Sequence, residues 1–155
     1  MTKTAIMLGG NLPDTLQKMD FALDRLQKSG FIVNKISKIF HSAAVDCVPG
    51  TPDFLDRAVT GVWHDSALEL LKLCQKIEVE AGRPVIHSSR ESRVLDIDII
   101  LFGNEMISLP ELIIPHPRAR QRRFVLEPLA EIAPNWQFPD SITVASALEE
   151  LLQRG

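Results

Sequence analysis

The order of strand-like and helix-like hydrophobic patterns constrains the fold of this chain more than any other feature of its sequence. Apolar and β-branched residues predict four strands, and after the first of them apolar residues recur at helical spacing from Leu12 to Leu26, before Gly30. Ser66 and Glu69 form a capping box that opens a second helix. The predicted strands cover residues 3–8, 31–40, 54–63 and 95–102, and the second helix ends near residue 81. This order is typical of the ferredoxin-like βαββαβ sandwich, so we predict an α+β fold with an antiparallel sheet and helices on one face.

The C-terminal third adds elements to this core. Three prolines predict an extended stretch over residues 110–117, followed by a short helix at 124–132, interrupted near Pro128, and a terminal helix at 143–152. Proline, glycine and polar residues predict loops at 43–53 and 84–92, the second of them mobile. The length of 155 residues fits a single domain, 1–155.

Composition excludes some classes of partner. The net charge of −3 gives no global reason to expect nucleic acid, and no apolar run approaches the roughly 18 residues that a membrane span needs. The two cysteines, Cys47 and Cys74, have no metal-binding spacing, and no signal peptide is evident. We therefore expect a cytoplasmic protein in a reducing compartment, without nucleic-acid or membrane partners. We also expect a monomer.

Two aspartates give the sharpest chemical signal. Asp96 and Asp98 alternate with apolar residues in a predicted strand, so their side chains project from one face, roughly 7 Å apart along the backbone. Neighbouring carboxylates repel one another unless a cation lies between them, and hard oxygen ligands suit Mg²⁺. An amphipathic strand showing two charges to water is the alternative, although Ile100 and Phe102, which continue this face, fit solvent poorly.

Arginines cluster around the same strand. Seven of the ten lie between Arg83 and Arg123, and guanidinium groups suit phosphates better than ammonium groups do. A solvated basic face is the alternative. The sequence has no Walker A phosphate-binding motif. His116, between two prolines, has either a structural or a binding role, and the histidine spacing argues against zinc.

Together, these features are similar to a known family. The chain resembles 6-hydroxymethyl-7,8-dihydropterin pyrophosphokinases, enzymes of folate synthesis. The strongest matches are residues 95–103 (LDIDIILFG), 115–118 (PHPR) and 123–134 (RFVLEPLAEIAP), and weaker ones are 8–11, 53–56 and 78–83.

The resemblance implies a reaction and a set of residues. ATP would transfer its pyrophosphoryl group to the pterin hydroxymethyl oxygen, with AMP as the leaving group. Asp96 and Asp98 would bind two Mg²⁺ ions as the metal and catalytic ligands, and Arg83 and Arg93 would assist on the phosphate side. The nucleotide site implied by the resemblance comprises Gln75, Glu78, Arg93, Ile99, His116 and Arg122. The implied pterin site comprises Ala44, Asp46, Phe54, Asp56 and Phe124, with the two phenylalanines stacking on the ring.

The chain departs from the family pattern at three places. Asp56 stands where the family has asparagine, Ala43–Asp46 replaces a threonine and proline loop, and the 84–92 loop lacks one arginine and an aromatic residue. These changes leave open a catalytically weak homologue that binds nucleotide or a different pterin. An RNA-binding ferredoxin-like domain is a third possibility, but it fits poorly with net acidity and the lack of strand aromatics.

Overall fold

The computed structural model describes residues 1–43, 49–50, 52–82 and 95–154, and an antiparallel sheet lies at its centre. The order is β2-β4-β1-β5, and β3 extends the sheet by pairing with β4. This arrangement confirms the α+β, ferredoxin-like prediction. The sheet strands are β1 (Thr2–Gly10), β2 (Ile32–Ile36), β3 (Phe40–Ser42), β4 (Phe54–Trp63) and β5 (Asp96–Phe102). The remaining elements are α1 (Thr15–Lys28), α2 (Ala67–Glu80), a hairpin of β6 (Ile107–Leu109) and β7 (Leu112–Ile114), a 3₁₀ turn (Ala119–Gln121), α3 (Arg123–Ile132) and α4 (Val144–Gln153).

One face of the sheet packs against α1 and α2. Ile6 and Leu8 on β1 contact Met19, Leu26 and other apolar residues of the helices, and all four are fully buried. The predicted capping box places α2 correctly, since the Ser66 hydroxyl accepts a hydrogen bond from the Glu69 backbone N–H at 3.2 Å.

The other face is covered as well, which corrects the expectation of helices on one face. Ala5 and Met7, which alternate with Ile6 and Leu8, pack with α3 and α4 in a second core that includes Leu126 and Val144. The C-terminal additions therefore form a third layer. The interruption predicted at Pro128 is also wrong: α3 runs through this residue, whose buried ring packs inside the domain.

Two strand details differ from the prediction. The predicted strand at 31–40 is divided into β2 and β3. The Ser37 hydroxyl accepts a hydrogen bond from the Ala58 backbone N–H at 2.9 Å, and this bond interrupts the backbone pairing with β4. The register between β1 and β5 shifts between Ala5 and Ile6, because Ile100 forms a bulge on β5. Phe102 consequently lies in the first core, and not on the face of Asp96 and Asp98 as its spacing predicts.

The β6–β7 hairpin lies where only an extended stretch was predicted. Among the described residues, no helix is both long and apolar enough to cross a membrane.

Candidate active site

A cavity of about 500 Å³ lies on the α3 side of the sheet, at the end where β1, β4 and β5 meet. The structure brings seven of the predicted site residues to its wall. These are Phe54, Asp56, Asp96, Asp98, His116, Arg122 and Phe124.

Asp96 and Asp98 occupy neighbouring positions on the cavity face of β5. They pair in register with Gly9 and Met7 of β1, and Ile97 between them points into the first core. Asp96 is half-buried and Asp98 is exposed. The alternation predicted from the sequence is confirmed, and it directs both carboxylates into the cavity.

The donor set fits a cation that takes few protein ligands. Within the described ranges, no cluster of three or more His, Cys, Asp or Glu side chains is placed to enclose a metal. Mg²⁺ is commonly held by one or two carboxylates together with water and substrate phosphates, so the pair Asp96 and Asp98 suits it.

Asp56 is a buried carboxyl group at the floor of the cavity. The residue is 6% exposed, and its Oδ2 accepts a hydrogen bond from the Ser42 hydroxyl at 3.0 Å. Burial raises the pKa of Asp56 to about 7; the Ser42 hydrogen bond opposes this rise, and repulsion from Asp96 and Asp98 adds to it. Near neutral pH this carboxyl group is therefore divided between its protonated and its ionised form.

His116 is neutral and oriented. Its backbone N–H donates to the Ile100 carbonyl at 3.1 Å, and its Nδ1 accepts from the Arg118 N–H at 3.3 Å, which leaves the proton on Nε2. Burial lowers the pKa of His116, and the nearby Arg122 and Arg118 lower it further. The imidazole is therefore a donor with no charge of its own.

Arg122 brings a fixed positive charge to the same wall. Its guanidinium carbon lies 5.3 Å from the centre of the Phe124 ring, which is within the range of a cation–π contact. This contact holds two different kinds of binding group, a cation and a flat apolar ring, side by side at the start of α3.

Three predicted nucleotide residues lie elsewhere. Gln75 is exposed on α2, and the Ile99 side chain is buried in the first core, on the opposite face from the carboxylates. Glu78 reaches the backbone of β5, where its Oε2 accepts from the Ile97 N–H at 2.8 Å. The other four predicted residues, Ala44, Asp46, Arg83 and Arg93, fall outside the described residues.

The cavity also uses residues that the sequence did not single out. Gly9 belongs to the weaker match at residues 8–11 but has no predicted role, and Ser42 belongs to no motif. The only available signal was position, because both residues precede or end strands next to the predicted site. The further lining residues are Met7, Gly9, Ser42, Ala43, Ile100 and Val125.

The chain matches a family model over most of its length. The model is described as 7,8-dihydro-6-hydroxymethylpterin-pyrophosphokinase (HPPK), and residues 5–134 match it. The chain belongs to the HPPK family. The resemblance inferred from the motifs is thereby confirmed.

Individual HPPK relatives agree with this assignment. The 2-amino-4-hydroxy-6-hydroxymethyldihydropteridine pyrophosphokinase of Synechocystis is 36% identical over 146 residues, which cover 93% of this chain and 73% of the relative. The enzyme of the same name from Bacillus subtilis is 39% identical over 132 residues, with coverage of 82% and 75%.

Solved structures support the fold. The wild-type HPPK-DHPS of Plasmodium falciparum with pteroate aligns with a TM-score of 0.78 at 13% identity. The alignment covers 99% of this chain and 45% of the Plasmodium chain, so the protein spans less than half of that chain.

Proposed function

We propose that this protein transfers a pyrophosphoryl group from ATP to the hydroxymethyl oxygen of 6-hydroxymethyl-7,8-dihydropterin, with release of AMP. The main support is the cavity, in which a pair of carboxylates, a fixed cation and two aromatic rings meet within one HPPK-family fold. The names of the curated relatives favour an active enzyme over the weak-binding alternative.

The proposal divides the cavity into two regions. Phe54 and Phe124 would hold the flat pterin ring, since aromatic faces bind flat heterocycles well. Asp96 and Asp98 would hold two Mg²⁺ ions. When bound, such ions neutralise phosphate charge and align the attacking and leaving oxygens.

On the phosphate side, the chain's own groups stabilise charge. Arg122 would pair with phosphate oxygens, and the Nε2–H of neutral His116 would donate a hydrogen bond to them. Arg83 and Arg93 would add positive charge. Gln75, Glu78 and the backbone near Ile99 would contact the nucleoside outside the cavity lining.

The transfer balances without a covalent protein intermediate. The hydroxymethyl oxygen forms a bond to the β-phosphorus, the bond from that phosphorus to the bridging oxygen breaks, and AMP keeps the electron pair. The hydroxyl proton passes to water. Catalysis then consists mainly of positioning and charge stabilisation.

The remaining assignments belong to the same proposal. Ala44 and Asp46 would contact the pterin, and residues 1–155 would act as one pyrophosphokinase domain. We further propose a cytoplasmic monomer whose partners are ATP and the pterin, with neither nucleic acid nor a membrane involved.

Product analysis tests the proposal. The protein is incubated with Mg-ATP and 6-hydroxymethyl-7,8-dihydropterin, and AMP is expected as the nucleotide product. Asp98→Ala should abolish turnover without unfolding the protein, whereas Asp20→Ala, an exposed aspartate on α1, should leave it unchanged. Formation of ADP, or no turnover by the wild-type protein, would contradict the proposed reaction.

A further inference from the structure

The carboxyl group of Asp56 is confined on two sides. On one side the Ser42 hydroxyl donates to Oδ2 at 3.0 Å. On the other side Oδ1 lies over Gly9, where an added Cβ would come within 2.9 Å of it. Gly9 and Asp56 are directly paired across β1 and β4, so this proximity follows from the register of the sheet.

A close approach explains the glycine at position 9. Its backbone does not adopt the left-handed conformation that favours glycine elsewhere in this chain, at Gly30 and Gly82 for example. A Cβ at Gly9 would also lie 3.6 Å from the Leu55 carbonyl oxygen, an ordinary contact, so the Asp56 carboxyl is the group that would have to move.

The carboxyl group is buried at the wall of the cavity. Asp56 is 6% exposed, and Ser42, Gly9 and Asp56 all line the cavity. The Ser42 hydroxyl binds Oδ2, and Oδ1 lies beside Gly9 of β1.

We infer that Ser42 and Gly9 are positioning residues that orient Asp56 to accept a hydrogen bond from an N–H donor on the edge of the substrate heterocycle. This inference rests on the proposed function for the identity of the ring. By this inference, selectivity for the N–H edge of the heterocycle depends on Ser42 and Gly9, which need not touch the ring.

Equilibrium binding tests the inference without requiring turnover. Binding of the fluorescent ring 6-hydroxymethylpterin and of Mg-ATP is measured for the wild-type protein and for Ser42→Ala, Ser42→Thr and Gly9→Ala. Ser42→Ala should weaken pterin binding about 3- to 10-fold, the range expected for one lost hydrogen bond, and leave ATP binding unchanged. Ser42→Thr keeps the hydroxyl and should restore binding to within about twofold. Gly9→Ala should weaken it at least as much as Ser42→Ala, because the added methyl group displaces Oδ1.

The controls separate positioning from general damage. Ser29→Ala, an exposed serine at the end of α1, should bind both ligands like the wild-type protein. Unchanged pterin affinity in Ser42→Ala, or equal losses of affinity for pterin and ATP, overturns the inference. The Ser42 variants do not involve Gly9, so they still test the inference if the Gly9→Ala protein fails to fold. If the wild-type protein binds pterin but forms no AMP, the proposed reaction fails while the binding test still decides the role of Ser42. A wild-type protein that binds no pterin overturns both.

Discussion

Replacing Asp56 by asparagine should stabilise the protein at high pH and much less at low pH. In the unfolded chain this carboxyl has its ordinary pKa of 3.8, whereas burial in the folded protein raises its pKa to about 7. Between these values the folded state keeps a proton that the unfolded state releases. The free energy of unfolding therefore falls as the pH rises from about 4, and this fall is complete above about 7.

The size of the effect follows from the two pKa values. The interval from 3.8 to about 7, at roughly 1.36 kcal/mol for each pH unit, amounts to about 4 kcal/mol. Of this, about 3 kcal/mol is lost between pH 5 and pH 8, since the lower part of the interval has already been crossed at pH 5. For a domain of this length, that difference corresponds to roughly 6 to 12 °C in Tm.

Denaturant unfolding at pH 5 and pH 8 in magnesium-free buffer measures this difference. Four other charged or titratable residues face the cavity, namely Asp96, Asp98, Arg122 and His116. They are present in both proteins, so the wild-type curve minus the Asp56→Asn curve reports the titration of Asp56 together with its coupling to these groups. Asp20→Asn on the exposed face of α1 serves as the matched control and should parallel the wild-type protein. Identical pH dependence in the wild-type protein and Asp56→Asn would refute the reasoning.

Three further substitutions test the surroundings of the site. Glu78→Ala should lower the free energy of unfolding by about 1 kcal/mol in thermal denaturation, because it removes the acceptor of the Ile97 N–H. Glu78→Gln keeps an acceptor and should lose less. Equal losses in the two variants would exclude this hydrogen bond as the cause. Gly61→Ala should destabilise by about 3 kcal/mol in denaturant unfolding, since the new Cβ would lie 2.3 Å from the Ile32 carbonyl oxygen; an unchanged midpoint would contradict this packing. Phe124→Leu should raise the KM for pterin about 3- to 10-fold while the KM for ATP stays constant, and a parallel rise in both would argue against ring stacking.

The sequence predicts the fold well where local pattern and tertiary packing agree. Strand β4 has the predicted bounds, and Ser66 caps α2 as its motif indicates. The prediction fails where one side chain or one register shift decides. The Ser37 hydroxyl accepts the hydrogen bond of the Ala58 N–H in place of a backbone carbonyl, which divides the predicted second strand. The bulge on β5 moves Phe102 to the other face of the sheet. Hydrophobic periodicity predicts neither feature.

The candidate site shows the same limit. The alternation of Asp96 and Asp98 could be predicted because strand geometry alone puts them on one face. The third layer, formed by α3 and α4, could not be predicted, because the amphipathicity of a helix does not indicate which face of a sheet it will cover. Ser42 and Gly9 depend on the pairing register between distant segments, which one sequence does not reveal.

The bare stretch of β1 at Gly9 has a consequence for inhibition. A compound designed to lie flat on this backbone would meet a surface that the protein cannot easily remodel, since any side chain introduced there collides with Asp56. Resistance by substitution at that point would therefore carry its own penalty in substrate recognition.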